Sequence, residues 1–146
     1  MVSKVLLSIG EKTTWRTPLD LWNDLNDEFN FTLDACTEDN NPLGTPKFYT
    51  KKDNGLRRPW FNTTYCNPPY GRNNKVDLWL KKAKIEQRKG IASVLLLPSR
   101  TGNKWFHKYI YNKPNVKVQF LPGRIRFRGA KSVATFDSMI VIFNGL

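Results

Sequence analysis

Three observations predict a single three-layer α/β domain, residues 1–146, with a mixed, mainly parallel sheet. The 146 residues, 40% hydrophobic and 13% aromatic, suffice for one substantial core and are too few for two ordinary domains. The hydrophobic period switches repeatedly from helix-like to strand-like and back. One helical stretch is also followed by a nearly continuous apolar run, Ile91 to Leu97, suited to a strand buried on both faces.

The elements are expected in this order. Val5 to Ile9 is too brief for a signal peptide, lacks a small-residue cleavage site after it, and reads as a leading strand or an arm. Thr17-Pro18 reads as an N-cap with Pro at the first helical position. Leu19, Trp22, Leu25 and Phe29 then recur at helical spacing, predicting a helix over about 18–29. Asn30 to Cys36 reads as a strand that empties into the polar stretch Thr37 to Asn41 and exposes a strand end carrying Asp34. Pro42, Gly44 and Pro46 make the continuation a loop. Residues 47–62 read as basic and irregular, with Lys51, Lys52, Arg57 and Arg58. A short strand, Thr63 to Cys66, is ended by two consecutive prolines. Val76, Trp79, Leu80 and Ala83 share one face of a helix over Val76 to Arg88, and the strand at Ile91 to Leu97 completes a strand, helix, strand unit. Asn103 to Tyr111 reads as a further helix. Val116 to Phe120, Arg124 to Arg128 and Phe136 to Phe143 read as strands closing the sheet, the last antiparallel to the others.

Charge narrows the partner. Twenty-four Lys and Arg against 12 Asp and Glu give a formal net charge of +12, which favours a polyanion, with nucleic acid first. No apolar run approaches the roughly 18 residues of a membrane span. Cys36 and Cys66 are single and far apart, so neither a disulfide framework nor a CxxC metal site is available, and a reduced intracellular setting is expected. His107 is the only histidine, so no metal site is expected.

The most informative residues are Asn67-Pro68-Pro69-Tyr70-Gly71, at the mouth of a strand, where open α/β sheets bind ligands. An aromatic amine is a poor nucleophile because its lone pair is delocalised into the ring. Acceptors aimed at its hydrogens favour the pyramidal, reactive form. The Asn67 side-chain oxygen and the Pro68 carbonyl, held rigidly by Pro68 and Pro69, suit that task. Tyr70 offers an aromatic face on which a base turned out of a duplex stacks.

At these residues the chain resembles the amino-group methyltransferases marked by Asp, Asn or Ser before Pro-Pro-Tyr, and more closely the compact phage-type DNA N-6-adenine methyltransferases. The resemblance covers nearly the whole chain. It is carried by Trp15-Arg16-Thr17-Pro18, Phe31 to Cys36, Asp53-Asn54-Gly55-Leu56 with Trp60, Asn67 to Gly71, Leu97 to Thr101 with Trp105-Phe106, and Phe120 to Ile125.

The resemblance implies a Rossmann-like, S-adenosylmethionine-dependent methyltransferase fold without a separate target-recognition domain, acting on the N6 amine of adenine in DNA that is double-stranded, with the base flipped. A phage or prophage origin would place it in the bacterial cytoplasm. Trp15, Thr17 and Pro18 would line the cofactor pocket, and Asp34, with Ala35, would hold the methionine ammonium or the ribose. Asp53 would bond the cofactor's adenine amine, with Leu56 against its ring and Asn67 between cofactor and target. The glycine-rich turn common after the first strand is absent, since Asp34 to Glu38 contains no Gly. Methyl transfer is an in-line displacement that needs positioning and no metal. Arg72, Lys75, Arg100, Lys104, Arg124, Arg126 and Arg128 are candidates for gripping phosphates.

Plainer readings stand beside these. Pro-Pro-Tyr also occurs in ordinary turns, Asp34 and Asp53 also read as loop acids, and Trp79 and Trp105 read as packing residues. Arg124 to Arg128 also reads as a strand with a solvated basic face, His107 as a surface side chain, and the cysteines as small buried fillers. Alternative functions are a catalytically inactive DNA-binding relative, or transfer to RNA or to protein glutamine.

Overall fold

In chain order, residues 15–71 and 75–146, which the computed structural model describes, form α1 (Leu19–Phe29), β1 (Leu33–Thr37), β2 (Lys47–Thr50), β3 (Thr64–Cys66), α2 (Val76–Arg88), β4 (Ser93–Pro98), a single-turn π-helix (Phe106–Ile110), β5 (Val116–Phe120) and β6 (Ser138–Phe143). The expected leading strand at Val5 to Ile9, and Arg72, lie outside the described residues. The six strands make one sheet in the order β2-β1-β3-β4-β6-β5. β2, β1, β3 and β4 are parallel neighbours, and β6 runs antiparallel between β4 and β5. The chain steps from β1 outward to β2, then from β3 outward to β4 in the other direction. The switch point, where such sheets leave a crevice at the carboxyl ends of the strands, therefore falls between β1 and β3.

Both faces of the sheet are covered, the arrangement expected of a Rossmann-like α/β fold. On one face Trp22 and Leu25 of α1 are buried, and the Trp22 ring meets Tyr65 of β3 edge-on at 5.0 Å. On the other, α2 buries Val76, Trp79, Leu80 and Ala83. Every residue of β4 is buried, as its apolar run predicts for a central strand. Full burial of each leucine there stabilises the fold by about 1.5–3 kcal/mol.

Four expectations are corrected. Pro18 is the residue capping α1 rather than its first helical residue, and no side chain caps the helix. Thr17 instead places its Oγ1 2.6 Å from the buried Tyr65 hydroxyl, so tertiary contact wins over local capping. Residues 47–50 of the stretch read as irregular form edge strand β2; their exposure on the sheet margin hides the strand pattern. Arg124 to Arg128 is not a strand. Its one β-bridge among the described residues is Arg16 with Arg128, and Phe127 is buried among aromatic rings instead of standing on a ladder. The helix expected over Asn103 to Tyr111 contracts to the π-turn at Phe106–Ile110, preceded by a helical Lys104-Trp105.

Candidate active site

β1 carries a bulge. Asp34 pairs with Phe48 and Thr37 with Thr50, so Ala35 and Cys36 face one residue of β2, and such bulges re-aim side chains at strand ends. The loop after β2 closes against this bulge at Gly55, where a Cβ would lie 2.1 Å from the Ala35 carbonyl oxygen. Only glycine fits that approach.

Two adjoining clefts open beside the bulge and share Cys36, Thr37, Glu38 and Asn67. The one on the α1 side is also lined by Trp15, Arg16, Thr17, Asp34, Tyr65 and Arg128. The one on the α2 side is also lined by Ala35, Thr50, Lys51, Asn54, Gly55, Pro69 and Trp79. Asn67, leaving β3 at the switch point, thus stands between them. Of the residues expected around a cofactor, Trp15, Thr17, Asp34, Ala35 and Asn67 line these clefts. Pro18, Asp53 and Leu56 do not line them, though each adjoins a lining residue in sequence. Asp53 accepts hydrogen bonds from the Thr50 amide (2.9 Å) and hydroxyl (3.0 Å), which hold its carboxyl below the ordinary value and fix the turn that presents Asn54.

Asp34 is 1% exposed and has no ion pair among the described residues. Its Oδ1 accepts a long bond from the Cys36 amide, 3.3 Å. Burial pushes its carboxyl up to about 7, opposed by the bonds to Cys36 and Thr37. Burial and the nearby Asp34 push the Cys36 thiol up to about 12, so it is no nucleophile at neutral pH. Arg16 binds Glu38 through two of its nitrogens, Nε at 2.7 Å and Nη2 at 2.8 Å, tying the segment before α1 to the loop after β1.

The Asn67 amide is held at both ends. Its Nδ2 donates to the Trp15 carbonyl and, at 3.3 Å, to Thr17 Oγ1. Its Oδ1 accepts from the Tyr70 hydroxyl at 2.8 Å. The Trp15 carbonyl is an acceptor only, which fixes which end of the amide is nitrogen. Tyr70 differs from the open stacking face expected of it. It is 5% exposed, its hydroxyl also lies 2.7 Å from the Leu96 carbonyl, and its ring packs with Trp15, Phe127 and Phe136. These bonds draw the ring inward.

A third, more open cleft at the ends of β3 and β4 holds Tyr70, Lys75, Asp77, Arg100 and Trp105. Lys75 and Arg100 therefore share a cleft with Tyr70, with Lys104 exposed on the adjoining segment. Arg124 lies 3.9 Å from Asp137, and Arg126 bonds the Ala130 carbonyl at 2.9 Å. Arg128 lies in the Asp34 cleft, apart from Lys75 and Arg100. Sequence reasoning missed Arg16, Glu38, Thr50, Lys51, Asn54 and Trp79 as lining residues. The Asn54-Gly55 pair after a strand is the one local signal for any of them, and the Arg16–Glu38 bridge, 22 residues apart, has none.

Among the described residues, no cluster of three or more His, Cys, Asp or Glu is placed to hold a metal, and no helix is long and apolar enough to cross a membrane. No curated protein matches the chain. A family model for DNA N-6-adenine-methyltransferase (Dam) matches residues 5–144. With that match over nearly its whole length and an Asn-Pro-Pro-Tyr segment at the sheet's switch point, the chain belongs to the DNA N-6-adenine-methyltransferase (Dam) family.

Proposed function

We propose that this member of the Dam family takes its methyl group from S-adenosylmethionine and delivers it to a flipped adenine at Asn67. The carrying observation is the Asn67 amide, fixed at both ends between the two clefts. A side-chain carbonyl oxygen has two acceptor positions. One receives the Tyr70 hydroxyl, leaving the other for an amine hydrogen of the target, with the Pro68 carbonyl as the second acceptor.

The residues suit the cofactor. A buried carboxylate without a cationic partner, Asp34, favours a cationic ligand, and the α2-side cleft supplies Thr50, Asn54 and the Trp79 ring for an adenosine. Bound there, S-adenosylmethionine supplies an electrophilic methyl group on a sulfonium centre. Tyr70, packed on Trp15 with ring centroids 6.5 Å apart and only 5% exposed, would back the mouth that receives the flipped base. Lys75, Arg100 and Lys104 would hold backbone phosphates around that mouth, and Arg124 and Arg126 are further phosphate candidates. Loops around that mouth would read a short target sequence.

Asn67→Ala tests this reading. Removing one preorganised polar group should lower the single-turnover methylation rate by about 10²–10³-fold while calorimetric affinity for S-adenosylmethionine changes little. A rate near wild type would place the acceptor elsewhere.

A further inference from the structure

Three charged side chains besides Asp34 line the α1-side cleft: Arg16, Glu38 and Arg128. Arg16 and Glu38 satisfy one another through a two-point bridge. That leaves Asp34 and Arg128, of opposite sign, in the same cleft, each without an ion pair among the described residues. Arg128 is exposed, and its backbone is fixed by donating to the Arg16 carbonyl at 2.8 Å, so its position relative to the cleft is set; its guanidinium attracts the Glu38 carboxylate, already bridged by Arg16, without a direct contact. A buried carboxylate and a guanidinium across one cleft complement a zwitterion, and a guanidinium matches a carboxylate in two-point geometry.

We propose that Arg128 binds the carboxylate of the methionine end of S-adenosylmethionine while Asp34 takes its ammonium, so that the cofactor lies with its amino-acid end in the α1-side cleft and its adenosine in the α2-side cleft. This rests on the cofactor reading above. It decides between the two roles open to Asp34, and it moves Arg128 from the phosphate backbone to the cofactor.

Calorimetry of the full chain with S-adenosylmethionine and with its decarboxylated analogue, which keeps the ammonium and adenosine, tests the assignment. Wild type should prefer S-adenosylmethionine. Arg128→Ala should weaken that ligand by about tenfold and leave the analogue within about twofold. Arg128→Gln, which keeps most of the stem, gives the same reading should the alanine variant fail to fold. Lys117→Ala, losing one positive charge at an exposed position outside the cleft, should preserve the wild-type preference, which separates a contact from a general field. An unchanged preference in the Arg128 variants overturns the inference, and more plainly so when DNA affinity falls instead. A folded wild type that binds neither ligand overturns the cofactor reading together with it.

Discussion

Asn67 and Tyr70 act as one unit at the level of single residues. The Tyr70 hydroxyl has one proton and two acceptors, Asn67 Oδ1 at 2.8 Å and the Leu96 carbonyl at 2.7 Å, so it positions Asn67 against the sheet. Tyr70→Phe should cost about 1–2 kcal/mol of stability, read by denaturant unfolding, because a buried acceptor loses its donor. It should also lower the methylation rate at unchanged cofactor affinity, and a loss of affinity alone would argue against a positioning role. Asp34 sets a pH dependence. Its carboxyl is raised to about 7 from the ~3.9 of an unfolded chain, so the folded state holds that proton more tightly. Its contribution to stability is therefore full below about pH 4 and is lost as pH rises through about 7. Asp34→Asn should flatten that decline in thermal melts and raise Tm at pH 8. A cation bound beside Asp34 favours the ionised form, so cofactor binding at pH 6 should release protons, seen as a buffer-dependent calorimetric enthalpy in wild type and absent in Asp34→Asn.

Among the elements, β1 and the loop after β2 make the site by close approach. Gly55→Ala places a methyl group within 2.1 Å of the Ala35 carbonyl. It should push that loop off the bulge, lowering Tm by several degrees and weakening cofactor binding. A variant with wild-type Tm and affinity would mean the loop yields freely. β4 was legible because Val94 to Leu97 are apolar without interruption, and the Pro68-Pro69 stop marked the mouth of β3 just as plainly. β2 was not, because Lys47 and Phe48 sit exposed on a sheet margin and give no alternation. The alternation of Arg124 to Arg128 misled for the opposite reason: Phe127 is drawn into a ring cluster by Trp15 and Phe136, a contact that no local period encodes. The lining role of Trp79 was hidden by the helical spacing that makes it a packing residue, and it serves both purposes.

For the molecule as a whole, the +12 charge is a statement about the partner. Phosphate contacts release counterions, so log K for DNA should fall linearly with log salt, and alanine at Lys75, Arg100 and Lys104 together should reduce the slope by about 3. The topology places the Asn67 segment, the Asp34 cleft and these cations on the carboxyl edge of a single sheet, so the proposed cofactor, target base and DNA backbone would meet at the switch point. The most direct test supplies S-adenosylmethionine with a deuterated methyl group and unmethylated duplex DNA, then identifies the product nucleosides by mass spectrometry. The account predicts N6-trideuteromethyl-deoxyadenosine from wild type and almost none from Asn67→Ala. Folded wild-type protein that binds the DNA and leaves every adenine unlabelled would contradict it.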